Sequence, residues 1–224
     1  RGGHGLARII DRIDLRPLLQ QPKWIVGFSD ITVLHAALTA MGVCSLHAPM
    51  CKGLAGDCPE AELEQLRQVL FEHRAPTLEL PLLNKLPEQV GHRIEGRIAG
   101  GNLSVIYGLR ATPYDVIPDG SILFLEDLNE ELYHIDRMFN NLRLGGVLQR
   151  INGLILGQFT DLGKDDSFGD GLYDIVRRAT EGCRYPIVCG FPAGHIPAHS
   201  PLVIGANASL SVQENDSCLF KCHL

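Results

Sequence analysis

A serine, a glutamate and a histidine each follow a short apolar run in this chain. Ser29 comes after Trp24 to Val26, Glu126 after Ser121 to Leu125, and His195 after Ile187 to Gly190. If those runs are strands, all three side chains stand at the edge of an open sheet where sites assemble. A serine hydroxyl is a weak nucleophile at neutral pH. It needs a base within hydrogen-bond reach, and the base needs a carboxylate that fixes its tautomer and stabilises its charged form. Serine, histidine and glutamate supply those roles. On residue type alone, Asp30, Asp127, Asp161 and His199 are equally eligible members.

The serine has the most telling surroundings. Trp24 to Val26 reads as a buried strand, and Ile31 to Met41 as a helix with Ile31, Leu34, Ala37, Leu38 and Met41 as its apolar positions. Gly27, Phe28, Ser29 and Asp30 are too few for a loose loop. A serine on such a strand-to-helix turn projects its hydroxyl out of the sheet, and the new helix aims its free N–H groups at whatever binds there. The match to G-x-S-x-G is partial, because Ile31 stands at the last glycine. A second reading of the same residues is structural: Ser29 or Asp30 caps the helix.

The elements that must position these residues alternate. Strands are predicted at Val43 to Met50 (with its exit loop), Arg93 to Ile98, Ser121 to Leu125, Ile151 to Phe159 and Ile187 to Gly190. Helices are predicted at Leu6 to Ile13, from Asp57 (N-cap) to His73, from Gly100-Gly101-Asn102-Leu103 onward, at Leu132 to Leu144 and at Leu172 to Thr180. This alternation predicts an α/β protein with a mainly parallel sheet. Ala208 to Val212 and Ser217 to Lys221 flank the turn-rich Glu214-Asn215-Asp216 and read as β-structure. Arg74 to His92 holds Pro76, Pro81 and Pro87 without a helix period, so it reads as a linker. The expected division is a nucleophile domain over 1–74, a linker over 75–92, and a second domain over 93–224 carrying the glutamate and the histidine.

Composition narrows the classes. The 224 residues are 45% hydrophobic and 21% charged, with a formal net charge of −6. That balance, without a long basic run, speaks against nucleic acid as partner, and no apolar stretch is long enough to span a bilayer as a helix. The seven cysteines are an odd number in a chain that is not small, which disfavours a secreted disulfide framework. Cys44, Cys51 and Cys58, or Cys218, Cys222 and His223, could be drawn as metal sites. Neither group has a Cys-x-x-Cys knuckle, so buried free thiols and no metal are expected. Arg1-Gly2-Gly3-His4-Gly5 reads as the middle of a loop, so an upstream segment is expected.

Several motifs, in order, resemble one family. Arg1-Gly2-Gly3-His4-Gly5 is similar to R-G-G-[YH]-G, and Gly27-Phe28-Ser29-Asp30 to a G-[FY]-S-D nucleophile turn. His47-Ala48-Pro49-Met50 resembles H-G-P-M, and Gly100-Gly101-Asn102-Leu103 matches G-G-N-L. Phe124-Leu125-Glu126-Asp127 with Tyr133 to Met138 matches a glutamate segment, and Ala193-Gly194-His195 a histidine segment. Over nearly its whole length the chain resembles the LD-carboxypeptidase family, serine peptidase family S66. That family includes murein tetrapeptide carboxypeptidases and microcin C immunity peptidases.

The resemblance implies a Rossmann-like N-terminal domain of the class I glutamine amidotransferase type, lacking its first part here, and a C-terminal swivelling β/β/α domain. It implies Ser29 as nucleophile, His195 as general base and Glu126 as its orienting carboxylate. It places the oxyanion hole at the backbone N–H groups of Asp30 and Gly3, and Asn102 at the substrate. No cofactor is implied. The implied protein is a cytoplasmic homodimer acting on a small peptide, the murein tetrapeptide, between meso-diaminopimelate and D-alanine, in peptidoglycan recycling. Two alternatives stand beside it: an immunity-type peptidase cleaving a peptidyl-nucleotide amide, and a non-catalytic α/β binding domain. The α/β-hydrolase fold also orders serine, acid and histidine, but Ile31 and the strand spacing after Ser29 speak against it. One departure stands out: His199 occupies the position where the family often has asparagine.

Overall fold

The computed structural model describes residues 2–56, 58–84, 87–163 and 168–224. Asp57, expected to cap a helix, and Arg1 of the first motif lie outside the described residues. The strands in chain order are β1 (Val26–Gly27), β2 (Ser45–His47), β3 (Thr77–Pro81), β4 (Arg93–Asn102), β5 (Ile122–Leu128), β6 (Gly153–Thr160), β7 (Ile187–Val188), β8 (Leu202–Ile204), β9 (Asn207–Val212) and β10 (Ser217–His223). The α-helices are α1 (Pro17–Gln20), α2 (Thr32–Ala40), α3 (Cys51–Leu54), α4 (Glu60–Glu72), α5 (Leu103–Leu109), α6 (Leu132–Leu144), α7 (Val147–Arg150) and α8 (Leu172–Ala179). The helix expected over Leu6 to Ile13 is instead two 3-10 turns, Leu6–Arg8 and Ile10–Arg12.

Among the described residues two sheets form, in the orders β1-β2-β8 and β3-β10-β9-β4-β5-β6-β7. The run β4-β5-β6-β7 is parallel, as alternating strands and helices require. The other half of that sheet is antiparallel, so the architecture is mixed α/β rather than mainly parallel. The cause is local: the short turn between β9 and β10 returns the chain as a hairpin, which adds to the free edge of β4. β3 falls inside the stretch expected to be linker. Its Pro81 hides it from a pattern search, yet proline is tolerated at the end of a strand whose ladder runs along β10, where Pro81 O accepts from Cys189 N–H at 3.0 Å. β8 belongs to the stretch expected as the second domain but hydrogen-bonds antiparallel to β2 of the first.

Side chains of β5 alternate between two cores. Ile122 and Phe124 point into a cluster shared with β2, β8 and α4 through Leu46, Leu66, Val69 and Val203. Leu123 and Leu125 point the other way, into a cluster built from α5, α6 and α8 through Ile106, Phe139 and Ile175. Burying one such side chain contributes roughly 1.5 to 3 kcal/mol, so the strand is anchored from both faces. This alternation decides where the next two residues, Glu126 and Asp127, are sent.

Candidate active site

Ser29 sits between β1 and α2 on a 3-10 turn, Ser29–Ile31, with φ of +62°. A non-glycine residue in the left-handed region is strained and held there by its surroundings. Gly27 explains part of that hold: a Cβ at this position would come within 2.8 Å of the Ile31 side chain. Ile31, which breaks the G-x-S-x-G pattern, therefore fills space that the glycine leaves open. The capping reading fails for both candidates. No side-chain cap hydrogen bond is made at this turn or at the start of α2. Asp30 instead turns its Oδ2 to accept hydrogen bonds from the backbone N–H groups of Gly5 and Leu6, both at 3.0 Å. This ties the first loop to the serine turn, and a Cβ on Gly2 would lie 3.8 Å from the Cβ of Ser29. Gly3, the next residue of that loop, has φ of +151°.

The glutamate lies within β5 rather than after it. Between Leu125 and Asp127 the register with β6 slips by one residue, with the extra residue on β6, while β5 keeps its alternation. Glu126 follows the Phe124 face and is fully buried. Its Oε2 accepts a hydrogen bond from His195 Nδ1 at 3.0 Å. Burial opposes its ionisation, but the hydrogen bond from His195 and the proximity of the His47 and His195 rings win and bring its carboxyl down to about 2. The carboxylate is therefore charged at neutral pH, as a partner for an imidazolium must be. His195 is carried by a loop pinned to β6, where Gln158 donates its backbone N–H to Ala193 O at 2.9 Å and its side-chain amide to Phe191 O at 3.1 Å. The motif glycine beside it, Gly194, has φ of +137°, and a Cβ there would stand 3.1 Å from Glu126 Oε2.

Phe28, next to Ser29, brings the two halves together. Its ring meets those of His195 and His199 edge-on, each at 4.9 Å between centroids. The Ser29 hydroxyl makes no hydrogen bond to His195 in this structure; such contacts often tighten only when substrate is bound. A second tie joins the halves behind the serine. Asn102 donates its backbone N–H to Thr32 Oγ1 at 3.0 Å, and a Cβ on Gly101 would press on the Thr32 side chain at 2.6 Å. The G-G-N-L motif opens a helix as expected, with Asn102 capping α5 and Leu103 as its first residue. Its first three residues also complete β4, and its glycines admit Thr32 and the backbone of Phe124 at close range.

The Asn102 side chain is buried and spent within the protein. Its Oδ1 accepts from Val105 N–H at 3.2 Å and from Ser104 Oγ at 2.9 Å, and its amide donates to Asp127 Oδ1 at 2.9 Å. In this geometry the side chain caps α5 and holds Asp127. A cleft of about 460 Å³ opens beside the serine turn, lined among others by Phe28, Met50, Lys52, Cys58, His195 and Pro197.

Sequence reasoning gave no role to His35 or His47, and treated His199 as an eligible triad member by residue type and as a departure from the family pattern. His35 is buried and bridges Ser45 Oγ at 2.8 Å and the carbonyl of Gly27 at 2.9 Å, which braces the strand end below the serine. His47 is at the end of β2, opposite Gly27 in register, and shares a hydrogen bond with His199 at 3.1 Å. The signal for His47 was its place at the C-terminal end of a predicted strand, the same test that picked Ser29, Glu126 and His195. Among the described residues, no group of three or more His, Cys, Asp or Glu is arranged to hold a metal ion. Cys189, Cys218 and Cys222 are buried thiols, whereas Cys51 is exposed and Cys44, Cys58 and Cys183 are half-buried. Burial pushes the Cys218 and Cys222 thiols up to about 12.

The model of the LD-carboxypeptidase C-terminal domain matches residues 95–210, and that of the N-terminal domain matches 1–48. The chain belongs to the LD-carboxypeptidase family. It is 32% identical to the probable murein peptide carboxypeptidase of Bacillus subtilis, over 97% of this chain and 69% of that protein. A solved structure of muramoyltetrapeptide carboxypeptidase from Oxalobacter formigenes is similar with a TM-score of 0.84 and 28% identity, covering 100% of this chain and 77% of the other. The microcin C7 self-immunity protein MccF, known from Escherichia coli, shares the fold in its wild-type apo state, with a TM-score of 0.82 and 21% identity over 100% of this chain and 74% of its own. This LD-carboxypeptidase family chain thus spans about two thirds to three quarters of these relatives' lengths. Among its described residues no helix is long and apolar enough to cross a membrane.

Proposed function

We propose that the protein is a serine LD-carboxypeptidase that removes a C-terminal D-alanine from a murein tetrapeptide, with Ser29, His195 and Glu126 as its catalytic triad. The observation that carries this reading is the 3.0 Å contact between His195 Nδ1 and the buried Glu126 carboxylate, beside a serine held at φ of +62°. With Nδ1 on the glutamate, His195 has Nε2 left for the serine proton. Ser29 Oγ attacks the amide carbonyl between the L-centre of diaminopimelate and D-alanine, and His195 takes its proton. The tetrahedral oxyanion is received by the N–H groups of Asp30 and Gly3, donors worth roughly 3 to 4 kcal/mol each in comparable sites. His195 then protonates the leaving amine of D-alanine, and water, deprotonated by His195, releases the tripeptide from Ser29.

The names of the relatives support the substrate class, since one is a probable murein peptide carboxypeptidase and another a muramoyltetrapeptide carboxypeptidase. The test is release of D-alanine from L-Ala-γ-D-Glu-meso-diaminopimelyl-D-Ala, followed by chromatography, for the parent chain and for Ser29→Ala. Steady release by the parent and none by the variant is expected. Full activity in Ser29→Ala removes the nucleophile assignment. Cleavage of a peptidyl-nucleotide amide in preference to the tetrapeptide moves the protein to the immunity-type branch.

A further inference from the structure

Three buried polar atoms near the glutamate have no hydrogen-bond partner: Oε1 of Glu126, Nε2 of His47 and Nδ1 of His199. Buried polar atoms without partners are rare, and each calls for a reason. Two of these face each other, Nε2 of His47 lying 3.8 Å from Oε1 of Glu126. That is too long for a hydrogen bond but within charge-pairing range. On its other side His47 meets His199, Nδ1 to Nε2, at 3.1 Å. Both rings are almost wholly shielded from solvent. The His47 ring is gripped edge-on by Phe124 at 4.9 Å, and the His199 ring by Phe28 at 4.9 Å.

We propose that His47 and His199 are positioning residues for the catalytic carboxylate: His47 presents an N–H to the second oxygen of Glu126, and His199 fixes the ring of His47. The proposal rests on the triad reading above and extends it to this chain's own His199. An ionised carboxylate offers only acceptors, so the ring atom facing Oε1 carries a hydrogen. A neutral His47 then accepts at Nδ1 from His199, and a charged one donates to His199; Nε2–H faces the glutamate in both cases. A carboxylate held by one oxygen can rotate away from its histidine. Held at both, it keeps Oε2 on His195 Nδ1, and so keeps Nε2 of His195 available to Ser29. Burial and the charge of His47 lower His199 to about 3, so His199 stays neutral through the working range.

The test uses the whole chain with His47→Leu, His47→Gln, His199→Leu and His199→Gln. Glutamine sets an amide nitrogen near the place of a ring Nε2. The readouts are the rate of inactivation by a fluorophosphonate, ¹⁵N shifts of the imidazole nitrogens, and the downfield proton resonance of His195 Nδ1–H. We expect both leucine variants to react about tenfold more slowly or worse, and the glutamine variants to recover most of that loss. We expect His47 Nε2 to carry hydrogen in the parent protein. The His195 Nδ1–H resonance should broaden or move in His199→Leu, although His199 does not touch that proton, and return in His199→Gln. Folded leucine variants that react at the parent rate overturn the proposal. A bare His47 Nε2, or glutamine variants no better than leucine, overturns it too. Should the leucine variants fail to fold, the parent's ¹⁵N shifts and the glutamine variants decide. A parent protein that resists the fluorophosphonate counts against the Ser29 reading, while the nitrogen shifts still report on the His47 contact.

Discussion

Glu126 and Asp127 are consecutive carboxylates on one strand, and they lead opposite lives. Glu126 follows the face of β5 that looks toward β2 and the histidine loop, and meets ring nitrogens. Asp127 follows the face that looks toward α5, where it accepts from the backbone N–H of Ser104 at 2.8 Å and from Asn102 at 2.9 Å. Burial outweighs those hydrogen bonds and pushes the Asp127 carboxyl up to about 6, with the neighbouring charge of Glu126 adding to the rise. Glu126, more deeply buried, is brought down to about 2 by its histidines. The lesson is that depth alone does not set ionisation: partners that carry or gain positive charge reverse its sign, and neutral donors do not fully do so here. The two faces divide the labour, one holding a carboxylate against ring nitrogens and the other fastening the helix behind it.

The largest effect that can break this division is on turnover. Glu126→Gln should lower kcat/KM roughly a thousandfold, with the fold retained, because the amide no longer stabilises the charged histidine. Asp127→Asn should lower it less than about tenfold. Equal losses in steady-state kinetics would erase the distinction between the two faces.

The second effect is on stability against pH, and it has opposite signs at the two positions. Glu126 has a folded value of about 2 against an ordinary 4.5, so its contribution is present above about 4.5 and is lost as pH falls toward 2. Asp127 has a folded value of about 6 against 3.8, so its ionisation costs stability, and the cost grows as pH rises from about 4 to 6. Urea melts should therefore show Asp127→Asn gaining on the parent by up to about 3 kcal/mol between pH 4 and pH 7. Glu126→Gln should show its largest deficit above pH 5 and lose it under acid. Parallel curves for both variants would contradict the assigned surroundings.

A smaller effect sharpens the comparison at the loop. Gly194→Ala places a methyl 3.1 Å from Glu126 Oε2 at a φ of +137°. We expect about 1 to 2 kcal/mol of destabilisation in thermal melts and a loss of activity larger than that of Asp127→Asn.

Much of this was legible in the sequence where a single period dominates. α6 runs over the predicted residues, Leu132 to Leu144, and buries Ile135, Met138, Phe139 and Leu142 as its apolar spacing requires. The serine turn was legible because strand, four residues and helix leave one geometry. The extra strands were not. β3 carries Pro81 and mostly exposed residues, and β8 has three residues that gain meaning only from β2, far away in sequence. The site was legible as residue types at strand ends, but Glu126 against Asp127 could not be decided. That choice depends on which face of β5 looks toward β2 and the histidine loop, and this is set by elements distant in sequence. The histidines were hidden for the same reason: His47 and His199 are 152 residues apart and meet only because β8 returns beside β2.

The central claim is that Ser29 is a nucleophile activated through His195 and Glu126. Its most direct measurement is peptide mass spectrometry of the parent chain and of Glu126→Gln after treatment with a fluorophosphonate. The account predicts one stoichiometric adduct, on the peptide bearing Ser29, formed far more slowly in the variant. An unmodified Ser29 in folded parent protein, or an adduct on another residue with Ser29 untouched, would contradict it.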